Sequence, residues 1–251
     1  MNRDLWHGVF AEDHFPPFPC PTCQAGVLRL EEGTLQKRAP KFVLDRANHP
    51  DWDIDWDFSR FIAFMRCPAP SCGEVVTVAG RVEDTEYEDD EVGWAMKEAL
   101  YPSSVLPAPH VISFPEKLNS KSKRHLLKAF ELLWIDAGAS ANRLRICVEV
   151  LLDQFKVPRN NKPKIGKKRV RLSLGTRLTK LKGKTASQKH ILDALRVIGN
   201  VGSHDGHTER DTLLIAFSLL EDVLAELIDK RTANRDKLAR QIVAANGKLK
   251  D

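Results

Sequence analysis

Two periods of apolar and polar residues divide this chain. Toward the N-terminus the period is two. In "DWDIDWDF" (51–58), Trp52, Ile54, Trp56 and Phe58 alternate with four aspartates, so an extended chain gives one dry face and one acidic face. The alternation predicts a strand or extended segment. Its carboxylates either attract a cation or a basic surface, or form a solvated edge that like charges protect from mispairing. The runs "GVLRLEEG" (26–33), "SRFIAFMRC" (59–67) and "EVVTVAGRV" (74–82) extend this β-type region. "EDTEYEDDEVGWAMKEALYP" (83–102) begins acidic and predicts a short helix stopping before Pro102. The Pro- and Ser-rich stretch 102–120 reads as a connector.

Beyond residue 120 the period becomes helical. "SKSKRHLLKAFELLWIDAG" (120–138) aligns Leu126, Leu127, Phe130, Leu133 and Trp134. "SANRLRICVEVLLDQFKV" (140–157) aligns Leu144, Cys147, Val148, Leu151, Leu152 and Phe155, with Ser140 as N-cap and Pro158 as stop. "LSLGTRLTKLKG" (172–183) is a shorter helix starting at Ser173, and "ASQKHILDALRVIGNV" (186–201) a longer one. "TERDTLLIAFSLLEDVLAELIDKR" (208–231) opens on a capping-box-like Thr208 and Asp211 and repeats Leu213, Phe217, Leu220, Leu224 and Leu227. The expected fold class is α+β, mainly α: a small β-rich module over 1–100, a connector over 101–120, a bundle of about five helices over 121–231 and a polar tail over 232–251.

The longest apolar runs, such as "LLIAFSLL" (213–220), fall short of the roughly 18 residues a bilayer span needs, and the N-terminus lacks a signal-peptide core. A cytoplasmic protein with no membrane partner is therefore expected. Charge then separates the halves. Residues 1–153 hold 17 Lys+Arg against 24 Asp+Glu, while 154–251 hold 22 against 10. An acidic front and a basic back point to a polyanion partner for the back, or to attraction between the halves. From Gln154 to Leu192 there are 13 Lys+Arg and no acid. Lys164, Lys167, Lys168, Arg169 and Arg171 are the densest part and the candidate phosphate contacts; the alternative is a solvated loop.

Five cysteines in a reducing setting suit metal ligation or buried thiols better than disulfides. Cys20 and Cys23 form C-P-T-C, and Cys67 and Cys72 close C-P-A-P-S-C. Two turn-borne pairs aim four thiolates at one point, as in a zinc ribbon, with structural Zn²⁺ as the expected cofactor. Four protein donors leave no vacancy for a substrate. Cys147, on an apolar stripe, reads as a core thiol.

In "RVIGNVGSH" (196–204) a continuing helix spaces Arg196, Asn200 and His204 at i, i+4 and i+8 on one face, with the outer two about 12 Å apart. Gly199 and Gly202 either admit another backbone closely or end the helix, with Asn200 and His204 capping the turn. Arg145 and Glu149, one turn apart, either orient this motif or form an intrahelical ion pair.

"ALYP" (99–102), the connector, "ANRLRICVEVLL" (141–152), "LSLGTRLTKL" (172–181) and above all "ALRVIGNVGSHDG" (194–206) resemble the bacterial domain of unknown function 4145. That family is similar to the HEPN helical domains, many of which are metal-independent ribonucleases of toxin and defence systems. The resemblance implies a HEPN-like bundle and a site built from Arg196, Asn200 and His204. The HEPN motif is Arg, a polar residue, three variable residues and His. Asn200 to His204 fits its second half, but Gly199 stands at the arginine position and Arg196 is the nearby substitute. In the implied chemistry His204 moves a proton and Arg196 holds the phosphate, with a second protomer supplying an opposed motif. The leading expectation is a nucleic-acid-binding or interaction protein (RNA or DNA) of bacterial stress or phage defence, working as a homodimer through the helical domain. The alternatives are a dimeric metal-independent endoribonuclease and a purely structural dimerisation module.

Overall fold

β3 (Ser59–Arg66) shows how the N-terminal sheet follows from its sequence. Phe61, Ala63 and Met65 are buried while Arg60, Ile62, Phe64 and Arg66 point outward, the strict alternation of a strand with one packed face. The computed structural model describes residues 1–53, 56–89, 93–161, 169–204 and 208–248. It is mixed α/β, with a β-rich N-terminal region followed by helices, as the α+β expectation requires. β1 (Arg29–Leu30) and β2 (Gln36–Arg38) both pair antiparallel with one edge of β3; β4 (Val75–Asp89) pairs with the other edge and with β5 (Gly93–Leu106). A short helix, α1 (Lys41–Arg46), separates β2 from β3.

Two expectations fail in this region. The segment 93–102 is strand, not helix: β5 pairs with β4 from Asp89↔Gly93 to Thr77↔Leu106, straight through Pro102. Ala, Lys and Glu favour a helix locally, but a long partner strand supplies ladder bonds and packing that outweigh intrinsic propensity. "DWDIDWDF" does not form a strand among its described residues. Trp52 is exposed, and the Trp56 N–H donates to the Asp53 carbonyl at 2.9 Å; Ile54 and Asp55 lie outside the described residues. Trp56 and Phe58 each meet a cation instead of a dry face. The Arg46 guanidinium lies 5.1 Å from the Trp56 ring centre and that of Arg81 lies 4.3 Å from Phe58.

The chain divides into two compact units. The first comprises Asn2–Val111 together with Phe130–Ala137. Its aromatic core joins Trp6, Phe10 and Phe18 to Trp134, with Trp6 and Phe18 ring centres 4.9 Å apart and Trp134 edge-on to both Phe10 and Phe18. Trp134, part of a helical stripe in the sequence, thus serves the N-terminal unit.

The second unit contains Met1, Ile112–Ala129 and Gly138–Asp251. Its helices are α2 (Ser120–Leu132, the part to Ala129 belonging here), α3 (Ala137–Gln154), α4 (Leu174–Leu178), α5 (Lys189–His204), α6 (Arg210–Leu227) and α7 (Arg231–Ala244). The predicted stripes pack: Leu126, Leu144, Cys147, Val148, Leu151, Leu152, Leu213, Phe217, Leu220 and Leu224 are buried. Caps follow the sequence less closely. Ser173 does cap α4, its hydroxyl accepting from the Thr176 N–H at 3.1 Å. Ser140 lies inside α3 and donates to the Ala129 carbonyl at 2.7 Å. α6 starts after Glu209 without a side-chain cap, and the Thr208 hydroxyl is buried without a partner among the described residues. α3 ends in a Schellman motif before Pro158 is reached. Lys156 adopts φ +58°, its N–H donates to the Asp153 carbonyl, and the Val157 N–H donates to that of Leu152.

Arg177 anchors α4 and escaped the sequence reading. It sits three residues after Leu174 on an apolar stripe and is fully buried. Its guanidinium donates to the Glu149 carbonyl at 2.8 Å, the Asp153 carboxylate at 2.7 Å and the Val157 carbonyl at 3.0 Å, tying α4 to the end of α3. Arg159 and Arg177 together hold the Asp153 carboxyl below its usual range. Lysine keeps the charge but cannot form the planar fork. Arg177→Lys is therefore expected to cost about 2–3 kcal/mol in urea unfolding, the worth of a charge-assisted hydrogen bond left unmade in the interior.

Candidate metal centre and arginine-lined cleft

The four cysteines converge. The chain entering from Pro19, which bridges to Val27, turns so that the Cys20 N–H donates to the Gly26 carbonyl at 2.8 Å, and Gln24 takes φ +57° to close the first turn. The second turn follows β3: Cys67 N–H donates to the Glu74 carbonyl, and Gly73 at φ +61° returns the chain into β4. The sulfurs of Cys20, Cys23, Cys67 and Cys72 all lie within 4.8 Å of one another. Cys20–Cys72 and Cys23–Cys67 are each 3.7 Å apart. Four sulfurs arranged tetrahedrally at about 2.3 Å from a zinc ion stand roughly 3.8 Å from one another, so the donor set fits a metal of that kind. The Gly26 N–H donates to the Cys23 sulfur at 3.3 Å. That bond, with the Ala25 N–H, draws the Cys23 thiol down to about 6. Gly26 itself escaped the sequence reading: a Cβ there would lie 2.3 Å from the Cys67 sulfur, inside the cluster. Cys147 stands apart, buried among α3's apolar residues and pushed up to about 12 by desolvation.

In the helical unit, α5 passes straight through Gly199 and Gly202 to His204, whose side chain lies outside the described residues. The glycines do not end the helix; they seat it on α3. A Cβ on Gly199 would lie 2.4 Å from the Arg145 Cβ and 2.8 Å from the Ala141 carbonyl oxygen, and one on Gly202 would lie 2.5 Å from the Gly138 oxygen. Position 199, where the resemblance to HEPN domains implies an arginine, is therefore taken up by the helix crossing.

Beside this crossing, Arg145 and Glu149 of α3, Arg171, the start of α4, and Arg196 and Asn200 of α5 line a cavity of ≈ 530 Å³. Arg196 Nε donates to Asp193 at 2.7 Å and keeps that carboxyl below its usual range. Arg171 donates to Glu149 at 2.7 Å, and Arg145 Nε donates to the Asn142 side chain at 3.2 Å. The intrahelical Arg145–Glu149 pair is thus replaced by a longer-range one: Glu149 reaches Arg171. Three arginines face one glutamate across the cleft, a surplus of planar donors suited to phosphate oxygens. Of the other proposed phosphate contacts, Arg169 is exposed and does not line the cleft, while Lys164, Lys167 and Lys168 lie outside the described residues.

These features define a two-part protein: a β-rich unit carrying a four-cysteine cluster and a helical unit carrying an arginine-lined cleft. Residues 128–244 match the family model described as Domain of unknown function (DUF4145), and residues 8–105 match Domain of unknown function (DUF8608). "ALYP" (99–102) falls within the second of these matches, in β5. Neither a curated protein nor a solved structure matches the chain. Among the described residues no helix is long and apolar enough to cross a membrane.

Proposed function

We propose that the protein is a nucleic-acid-binding protein of a bacterial stress or defence system, with a structural Zn²⁺ on Cys20, Cys23, Cys67 and Cys72. Its phosphate-binding surface is the cleft of Arg145, Arg171, Arg196 and Asn200. The observation that carries this reading is the convergence of Arg171, from the acid-free basic segment, with the two motif residues Arg196 and Asn200 on one cavity. The zinc centre holds the N-terminal turns together and leaves no open coordination position, so its role is architectural.

Fluorescence anisotropy with single-stranded RNA and duplex DNA tests the cleft. Three phosphate contacts on a duplex give a log–log salt slope near about −2.7, so a fourfold rise in salt weakens binding roughly 40-fold. Arg145→Gln combined with Arg171→Gln is expected to flatten that slope by about two contacts. A salt-independent affinity, or no binding of either nucleic acid at low salt, overturns the reading and leaves a structural dimerisation module. RNA cleavage in EDTA that is lost in His204→Ala and kept in Cys67→Ala would make the protein an endoribonuclease instead.

The same reading includes a homodimer. Val197 and Val201 are exposed one turn apart on α5, beside Arg196 and Asn200, and a second α5 packed there would oppose the two motifs across one groove. Sedimentation equilibrium is expected to give a dimer for the native chain and a monomer for Val197→Lys/Val201→Lys; a native monomer removes the shared groove.

A further inference from the structure

A second cavity of the helical unit, ≈ 680 Å³, shares no lining residue with the arginine cleft. Its walls come from the turn that ends α3 and from the stretch following α4. Lys156, Lys180 and Lys182 supply three ammonium groups, and Phe155, Val157 and Pro158 supply an apolar wall. Among the described residues no carboxylate lines it. The arginines of the other cleft are largely engaged by carboxylates or amides, whereas none of these three lysines has an acidic partner among the described residues. Like charges gathered around one concavity repel, and an anion entering it relieves that repulsion.

The Lys156 backbone sharpens the point. It holds φ +58° at the C′ position of the Schellman motif, where glycine is the favoured residue. A lysine there forgoes the conformational ease of glycine while directing a charged side chain to the cavity rim.

The ligand's chemistry follows from the lining. Lysine ammoniums are compact point charges without arginine's fork, so they match a concentrated charge more than a bidentate diester edge. Three of them suit a dianion. A bare phosphate ion would leave the Phe155–Val157–Pro158 wall unused, and an uncharged planar molecule would leave the ammoniums unpaired. The volume lies within the roughly 300–1,000 Å³ range of small-molecule sites. We propose that this cavity binds a terminal phosphomonoester carried on a planar body, the chemistry shared by a free nucleotide and the 5′-phosphorylated end of a nucleic-acid strand.

Isothermal titration calorimetry of the full chain with AMP, and with adenosine as the uncharged counterpart, tests it. AMP is expected to bind at least about tenfold more tightly than adenosine, a difference of about 1.4 kcal/mol. Lys180→Gln/Lys182→Gln is expected to weaken AMP by about tenfold or more. Lys156→Gly is expected to weaken it in the same direction while leaving the thermal midpoint unchanged or higher, because glycine fits the backbone there. Arg145→Gln leaves AMP binding intact, so failure of the arginine cleft and failure of this site are told apart. A short strand with and without a 5′-phosphate, competed against AMP, separates the sources. Stronger displacement by the phosphorylated strand than by free AMP assigns the site to strand ends, and the reverse assigns it to nucleotides. Equal binding of AMP and adenosine, absence of binding by both AMP and the phosphorylated strand, or indifference to the lysine substitutions overturns the proposal.

Discussion

Gly199→Arg, which would place an arginine where the resemblance to HEPN domains implies one, is expected to unfold the helical unit. The Cβ alone would stand 2.4 Å from the Arg145 Cβ and 2.8 Å from a carbonyl oxygen of α3, neither of them the end of a flexible side chain. α3 and α5 must separate to admit it, and Gly202 one turn on is seated on Gly138 just as closely. Overpacking in a well-packed core usually costs about 1–3 kcal/mol. An arginine adds a long charged side chain to the clash, which places the expected loss above about 4 kcal/mol, in the range reserved for severe core disruption. Gly199→Ala isolates the steric part. Alanine gains about 1 kcal/mol of helix propensity over glycine, so a net loss in that variant measures the clash directly. Urea unfolding followed by far-UV circular dichroism is the measurement. A wild-type midpoint for Gly199→Arg would show that α3 and α5 do not cross this closely. The chemical consequence is that an arginine at 199 and this helix crossing exclude each other; any phosphate-holding role in the motif falls to Arg196.

The same residues show what the sequence reveals and what it hides. The cysteine quartet was legible because spacing within each turn fixes the direction of two sulfurs, and two such pairs have few other uses. The helical stripes were legible because a period near 3.6 over many residues admits few alternatives. Gly199 and Gly202 were not resolved: a glycine that ends a helix and one that lets a neighbour approach read alike until the neighbour is known, and α3 lies some fifty residues away in the chain. Arg177 was hidden for a related reason. An arginine on an apolar stripe becomes a structural anchor only when carbonyls and a carboxylate wait for it, and these belong to α3's end and the turn beyond it. β5 was misread because its helix-favouring Ala, Lys and Glu are local, whereas its long register with β4 is not. The cleft was half legible. Arg196 and Asn200 share one helix face in the sequence, Arg145 is a candidate to orient them and Arg171 belongs to the basic segment, but the convergence of all four depends on the crossing that the glycines permit.

Removal of the metal proposed on the four cysteines is expected to collapse the N-terminal unit while the helices persist. The four thiolates join two turns separated by more than forty residues: the first precedes β1, which has only two residues, and the second links β3 to β4. Structural zinc in small domains contributes on the order of 10 kcal/mol of folding free energy at neutral pH, as much as the whole net stability of a typical domain. Native chain is expected to carry one zinc per molecule by elemental analysis. Cys67→Ser and Gly26→Ala are both expected to lose it, the latter because its methyl group would occupy the Cys67 sulfur's position. Cys147→Ser keeps the ion. Loss of metal is read in the near-ultraviolet circular dichroism of the Trp6–Phe10–Phe18–Trp134 core, whereas the signal at 222 nm changes little. Acid acts in the same direction. Protons then compete with the metal for every ligand. A chain that retains its near-ultraviolet spectrum after complete chelation at pH 7 would show that the aromatic core, and not the metal, holds this unit together.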